Sequence, residues 1–154
     1  MDLNFEELSA GNGARIGVVS LNAEKTLNAL TLPMLEALAG KFDEWAQDDR
    51  VVSVVLRGEG EKAFCAGGEV RSLVQACRAH PGEVPDLAAR FFAAEYRFDY
   101  RLHTYPKPVI CWGHGYVLGG GMGLLQSASV RIVTPSSRLA MPEISIGLYP
   151  DVGA

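Results

Sequence analysis

The chain has 154 residues, of which 48% are hydrophobic and 21% charged, and a formal net charge of -4; these values are typical of one globular domain or of part of a larger one. No run of ~18 apolar residues, signal-peptide layout or basic stripe occurs, which argues against membrane insertion, secretion and nucleic-acid binding. The cysteines, Cys65, Cys77 and Cys111, fit no zinc or redox spacing, so we expect reduced thiols, a cytoplasmic protein and no metal site.

The first part of the chain predicts two strands with a helix between them. β-Branched residues favour strands at Ala14–Leu21 and Val51–Arg57. Thr31 is a suitable N-cap for the helix, and Pro33 falls in its first turn. Apolar residues then recur at helical spacing and predict one buried stripe. The stripe consists of Leu35, Leu38, Phe42 and Trp45.

The rest of the chain continues this alternation. Further strands are predicted at Pro108–Trp112 and Val130–Val133, and short helical patterns follow Glu69 and the glycine run that ends at Gly123. Alternating strands and helices are typical of an α/β fold with largely parallel strands.

A longer helix, predicted from Pro85 to about His103, carries an acidic residue beside its apolar side. At 100° per residue, Glu95 lies within about 60° of that side, and burying an unpaired carboxylate costs several kcal/mol. Periodicity alone favours a structural role, in which Glu95 lies next to Asp99 on the solvent side and pairs with an arginine. A role in a functional site stays open. The apolar side consists of Leu87, Phe91, Ala94, Phe98 and Leu102.

Glycine is over-represented, with 17 residues, and six of these lie between Gly113 and Gly123. The run fits neither the G-x-G-x-x-G pattern nor the Walker pattern. The triplet Gly119–Gly121 precedes a helical pattern, where open amides can bind an anion, but glycine also permits close packing of two backbones. Both interpretations are open. A second amide-rich turn, at Phe64–Gly68, would allow an oxyanion hole with N–H donors from two turns.

Two carboxylates near the end of the chain follow prolines. Glu143 comes after Pro142 and Asp151 after Pro150, with apolar residues around both. A poorly hydrated pocket would suit these carboxylates to general acid or base work. Acids that cap turns are the more frequent outcome of such dipeptides, so the residues alone leave both roles open.

Together, these motifs resemble the enoyl-CoA hydratase/isomerase (crotonase) superfamily over nearly the whole chain. Leu21–Leu30 is similar to the family's early CoA-binding strand and loop, Phe64–Val70 to its first oxyanion turn and Lys107–Gly121 to its second. Within the superfamily, Ala140–Glu143 and Ile146–Gly153 look most like the 3-hydroxyisobutyryl-CoA hydrolases. The combination is far more specific than any single glycine motif.

The resemblance implies an α/β fold built as a spiral of β-β-α repeats, and it implies roles for particular residues. The amides of Ala66 and Gly120 would hold a thioester carbonyl, and Glu143 would be the principal catalytic carboxylate. Asp151 would be its partner near the substrate's 3-hydroxyl and the attacking water. Glu95 would be a further acid of the substrate site, in contrast to the role that periodicity favours.

The resemblance also places CoA. Lys25 matches a position near the CoA phosphates, where a cation is reasonable, although Glu24 stands where the family often has proline. The resemblance implies no metal or redox cofactor. CoA enters as part of the substrate.

Gly123 is a departure from the hydratases of the superfamily. Hydratases, on the same resemblance, use two glutamates, the first of them two residues after the glycine triplet, where this chain has Gly123. Addition of water across a double bond then lacks one acid/base group. Thioester hydrolysis needs one carboxylate, one water and the oxyanion hole, so the residues favour a hydrolase.

The expected activity is hydrolysis of a short branched 3-hydroxyacyl-CoA, most simply 3-hydroxyisobutyryl-CoA from valine breakdown. A hydratase or isomerase of the same superfamily is one alternative, and a CoA-thioester-binding component without turnover is another. Family members continue past the motif at 150–153, so residues 1–154 are expected to form the N-terminal portion of a single crotonase-like domain. The expected partner besides acyl-CoA is a C-terminal fragment or a second copy of the chain.

Overall fold

A computed structural model describes residues 2–152 and shows an α/β fold with two sheets. The larger sheet has five strands in the order β1-β2-β3-β5-β7; β1 and β2 are antiparallel, and the other neighbours are parallel. A smaller parallel sheet has the order β4-β6-β8. The larger sheet contains β1 (Leu3–Gly11), β2 (Ala14–Leu21), β3 (Val51–Gly58), β5 (Val109–Gly113) and β7 (Val130–Val133). The smaller sheet contains β4 (Ala63–Cys65), β6 (Tyr116–Leu118) and β8 (Arg138–Ala140).

Four α-helices lie between the strands: α1 (Leu32–Gln47), α2 (Val70–Ala79), α3 (Asp86–His103) and α4 (Gly120–Ser127). From β3 onward, each strand of the larger sheet is followed by a strand of the smaller sheet and then, after β4 and β6, by helical segments. The expected spiral of β-β-α units is therefore confirmed for the part of the chain that is described. No helix in residues 2–152 has the length and apolarity needed to cross a bilayer.

The predicted helices are present, and local chemistry accounts for their ends. The Thr31 hydroxyl accepts a hydrogen bond from Met34 N–H at 3.4 Å and caps α1. The Glu69 carboxylate accepts from the N–H groups of Arg71 and Ser72 and caps α2. The short helix predicted after the glycine run begins inside it, at Gly120.

The strands that the sequence analysis missed are β1 and the three strands of the smaller sheet. β1 is an edge strand that pairs only with β2, and most of its residues are exposed, so its sequence lacks the apolar alternation of a half-buried strand. The strands of the smaller sheet have three residues each, which is too short to show a period.

The core between α1 and α3 fixes the orientation of the helix that carries Glu95. Phe42 of α1 and Phe98 of α3 make an edge-to-face contact with ring centroids 5.2 Å apart. Trp45 packs against β2, where a Cβ at Gly17 would lie 2.8 Å from its ring. With these side chains in place, Glu95 of α3 is buried and its carboxylate lies against Gly120 of α4.

Candidate active site

Most of the residues predicted for the site meet at one cavity of about 400 Å³. Two glycine turns, α3 and the segment after β8 form its wall. Five of the six predicted residues line it: Ala66, Gly120, Glu95, Glu143 and Asp151. The sixth, Lys25, lies outside this cavity. Within residues 2–152, no three His, Cys, Asp or Glu side chains are grouped so as to hold a metal ion.

The two glycine turns lie against each other at the cavity. A Cβ at Gly67 would lie 3.0 Å from Leu118 O and 3.4 Å from Gly120 N. Gly67 has a φ of +96°, in the region that favours glycine. Gly120 is the first residue of α4, so its N–H has no acceptor within the helix. Amides of both turns therefore lie at the same cavity.

The first turn does not offer the amide that was expected. Ala66 N–H donates to Leu27 O at 3.0 Å, and Leu27 sits in the left-handed region with a φ of 55°. Gly67 and Gly68, in contrast, donate to no group among residues 2–152, and both line the cavity. The prediction that Ala66 supplies a donor is thus wrong for this conformation, and Gly68 is the better candidate.

Two glycines of the triplet make room for carboxylates. A Cβ at Gly119 would lie 2.5 Å from Glu143 Oε1, and a Cβ at Gly120 would overlap Glu95 Oε1. The sequence left open whether the triplet serves an anion site or close packing. Both apply, because the carboxylates pack onto the same backbone that presents the open Gly120 amide.

The third glycine of the triplet packs against β4. A Cβ at Gly121 would overlap Cys65 O. Cys65 is fully buried, and burial raises the pKa of its thiol to about 12. A thiol with this pKa is not a nucleophile near neutral pH, so the position of Cys65 in the turn is structural.

Glu143 is held where its carboxylate can react. It begins a 3₁₀ turn, Glu143–Ile146, and its carbonyl accepts from Leu148 N–H at 3.0 Å. The residue is 9% exposed, and Oε2 has no hydrogen-bond partner in the described part of the chain. A buried carboxylate oxygen without a partner, beside open amides, is suited to attack a carbonyl or to accept a proton from water.

Glu95 is a buried acid of the cavity. It is 4% exposed, and burial, followed by the charges of Asp151 and Glu143, raises its pKa to about 7. The interpretation that periodicity favoured, with Glu95 paired to an arginine at the solvent side, is wrong. α3 turns this residue into the cavity, toward the carboxylates of Asp151 and Glu143.

Asp99, one turn further along α3, also points inward. Both of its carboxylate oxygens are buried and lack hydrogen-bond partners within residues 2–152. Burial, then the charges of Glu95 and Asp151, raises its pKa to about 8. Periodicity predicted Asp99 on the solvent side. That prediction is wrong, because α4 and the segment after Glu143 cover this flank of α3, and the spacing of residues on α3 does not record which elements pack against it.

Asp151 lies at the mouth of the cavity. Its Oδ2 accepts a hydrogen bond from the Tyr96 hydroxyl, and its charge contributes to the raised pKa values of Glu95 and Asp99. Sequence reasoning missed Tyr96. Its position directly after Glu95 on a helix that enters the site is the signal that would have suggested a contact with the same region.

The apolar surroundings expected for Glu143 and Asp151 are only partly present. Ile146 and Leu148 line the cavity, but they are 57% and 41% exposed. Ile144 is 81% exposed and does not line it. The prediction of a poorly hydrated pocket is therefore wrong for the side of the cavity formed by Ile146 and Leu148, which is exposed to solvent within residues 2–152.

Lys25 lies in a different cavity, of about 430 Å³, on the loop between β2 and α1. Glu24, Glu59, Glu61 and Lys62 also line this cavity. The structure thus places Lys25 outside the cavity that holds Glu95, Glu143 and Asp151.

The family of the chain follows from comparison with known proteins. The sequence profile of the enoyl-CoA hydratase/isomerase family matches residues 16–154, and the chain belongs to this family. The fold agrees with that assignment. A carnitinyl-CoA dehydratase from Mycobacterium thermoresistibile superimposes with a TM-score of 0.87 at 37% identity, covering 99% of this chain and 42% of that one. An enoyl-CoA hydratase from Rhodobacter sphaeroides gives 0.87 at 35%, covering 99% and 43%.

Among curated relatives, the chain is similar to mitochondrial 3-hydroxyisobutyryl-CoA hydrolases. It is 41% identical to that of Danio rerio over 139 residues, which is 90% of this chain and 35% of the relative. The human protein is 39% identical over 137 residues, 89% of this chain and 34% of the relative. The chain is also 39% identical to the small ribosomal subunit protein mS47 of Neurospora crassa over 88% of its length and 27% of that protein. The chain spans about a third of the length of the curated hydrolases it matches.

Proposed function

We propose that the protein containing this chain hydrolyses a short branched 3-hydroxyacyl-CoA thioester, most simply 3-hydroxyisobutyryl-CoA formed in valine breakdown. The observation that carries the proposal is the unpartnered Oε2 of Glu143, buried beside two touching glycine turns. Relatives named for this hydrolysis, at about 40% identity, support the substrate.

The carbonyl of the thioester would be bound by open backbone amides. Gly68 N–H and Gly120 N–H are the donors that fit, because neither has an acceptor among residues 2–152 and each residue lines the cavity. Each such donor is worth about 3 kcal/mol when charge develops on the oxygen. The carbonyl carbon then lies within reach of the Glu143 side chain.

Glu143 can act by two routes. As a nucleophile, its carboxylate attacks the carbonyl carbon, the C–S bond breaks and CoA leaves as a thiolate; water then cleaves the resulting anhydride and restores the carboxylate. As a general base, it takes a proton from a water that attacks the same carbon. Trapping the acyl-enzyme with a labelled acyl group under rapid quench distinguishes the routes.

Asp151 and Glu95 would recognise the 3-hydroxyl and the substrate oxygens. Asp151 accepts hydrogen bonds, and in the described part of the chain only its Oδ2 has a partner, the Tyr96 hydroxyl. Glu95, with a pKa raised to about 7, is protonated in part of the population near neutral pH and can then donate. Lys25 would contact the CoA phosphates at the far end of the ligand.

Two other functions are tested at the same time. A hydratase or dehydratase activity is suggested by the names of structural neighbours, but Gly123 provides no side chain for a second acid/base group. A non-catalytic role is suggested by the similarity to mS47.

The test uses the full-length product of the gene that encodes this chain. We expect release of free thiol from 3-hydroxyisobutyryl-CoA, poor release from isobutyryl-CoA and no comparable loss of enoyl absorbance with crotonyl-CoA. Efficient hydration with little thiol release would return the protein to the hydratases. If neither thiol release nor hydration is detected at high enzyme concentration, the non-catalytic role is favoured.

A further inference from the structure

Gly123 is buried on α4 without any backbone reason for being glycine. Its φ lies outside the left-handed region, so the helix would accept another residue there. The space beside it is what excludes a side chain. A Cβ at Gly123 would lie 2.7 Å from Asp99 Oδ2, 2.8 Å from Val152 Cβ and 3.1 Å from Val152 Cγ2. We call this contact of Gly123, Asp99 and Val152 the Val152 seat.

The Val152 seat anchors the segment that carries Asp151. Val152 is 6% exposed, whereas Tyr149 on the same segment is 83% exposed. Asp151 is adjacent to Val152, lines the cavity and accepts a hydrogen bond from Tyr96. Burial of the valine therefore anchors the segment at the residue next to Asp151.

A side chain at position 123 and a seated Val152 require the same space. Val152 is β-branched, and its nearest atom to the added Cβ would be its own Cβ, so a rotamer change cannot relieve the overlap. Asp99 belongs to α3, which is fixed in the core through Phe98. The exposed segment around Val152 is the part that has to move.

We propose that Gly123 determines substrate specificity, because its missing side chain forms the seat that holds Val152 and thereby directs Asp151 at the 3-hydroxyl of the substrate. This inference rests on the proposed hydrolysis and deepens it. A larger residue at 123, as in the hydratases, would displace Val152 and with it Asp151. The glycine at 123 and the position of Asp151 therefore depend on each other.

The test is a double-mutant cycle in the full-length protein with Gly123→Ala, Val152→Gly and both together. Val152→Gly removes the two Val152 atoms that an alanine at position 123 would meet, and leaves the Asp99 carboxylate, the end of a side chain that can shift, as the remaining close contact. Gly40→Ala is the matched control, because Gly40 lies on the exposed face of α1 with nothing within 4 Å of an added Cβ. Two quantities are measured: the ratio of kcat/KM for 3-hydroxyisobutyryl-CoA over isobutyryl-CoA, and Tm.

We expect Gly123→Ala to lower the substrate ratio about tenfold or more, chiefly through the hydroxylated substrate, and Gly40→Ala to leave it unchanged. The substrate ratio of the double variant should be no lower than that of Val152→Gly alone, because position 123 acts through Val152, and its Tm should exceed the value predicted by adding the single changes. Equal losses with both substrates, or additive effects throughout, would overturn the inference. If the wild type releases no thiol from either substrate, the proposed function fails, and non-additive Tm values alone then decide whether the seat exists.

Discussion

The two glycine turns resemble each other in sequence, but their neighbours differ. In the first turn, a Cβ at Gly68 would meet the ring of Phe91 at 2.8 Å. In the second turn, the corresponding spaces at Gly119 and Gly120 are filled by Glu143 and Glu95. The first turn is therefore shaped by an apolar side chain and the second by the acids of the site. Similar glycine motifs thus support the same cavity for different physical reasons.

The largest expected effect is on the second turn's acid. Glu143→Gln keeps the shape and removes the charge, so turnover should fall at least 10²-fold with CoA binding retained. Steady-state thiol release and CoA binding by calorimetry measure the two quantities. Glu83→Gln, on the exposed loop between α2 and α3, is the control. Near wild-type turnover in Glu143→Gln would remove Glu143 from the mechanism.

The contrast between the turns predicts unequal outcomes for the same substitution. Gly120→Ala places a methyl group on the Glu95 carboxylate, beside the amide that we propose as an oxyanion donor, and we expect kcat to fall about 10²-fold. Gly68→Ala meets the tip of the Phe91 ring, which can shift, so we expect a loss of about 1–3 kcal/mol of stability and a smaller loss of kcat. Equal losses of kcat in Gly120→Ala and Gly68→Ala would mean that the two turns do not differ in what surrounds their glycines at the site.

A third prediction concerns pH. The folded state raises the pKa of Glu95 to about 7 from an ordinary value near 4.3, so the fold binds the proton more tightly than the unfolded chain does. Its contribution to stability is fully present below about pH 4 and is lost as pH rises through 7. Glu95→Gln stays neutral and should raise the free energy of unfolding at pH 8 by about 1–3 kcal/mol.

The measurement is denaturant unfolding of the full-length protein at pH 4.5 and pH 8. The gain from Glu95→Gln should be small at the lower pH. Glu6→Gln, on the exposed edge strand β1, should change neither value. A gain of equal size at both pH values would mean that charge is not its cause.

The smallest expected effect lies outside both turns. Lys25→Ala should raise KM for acyl-CoA about threefold and leave kcat unchanged, because an exposed charge contributes modestly to phosphate binding and is screened by salt. Raising the ionic strength should reduce the difference between wild type and variant. Lys41→Ala on α1 is the control. An unchanged KM would place the CoA phosphates elsewhere.

The sequence predicted a helix or strand correctly where the residues of that element alone determine its hydrophobic pattern and its ends. The Thr31 cap and the stripe of α1 predicted that helix, and β2 and β7 agree with their predicted bounds. Which side chains meet in the site could not be predicted from the pattern of any single element. Whether Ala66 N–H is free depends on the left-handed turn at Leu27, which is a tertiary feature. Glu95 and Asp99 were placed by the elements that cover α3, and residue spacing on one helix does not record its neighbours.

The buried cysteine of the first turn affects how the activity should be followed. Burial keeps the pKa of the Cys65 thiol near 12 and raises that of Cys111 as well, whereas Cys77 is exposed. A disulfide reagent that detects released CoA will therefore also react quickly with one thiol of this chain, giving a stoichiometric background before turnover begins. Cys77→Ser removes that background, after which a slow reaction of the reagent without substrate reports opening of the fold around the buried thiols of Cys65 and Cys111.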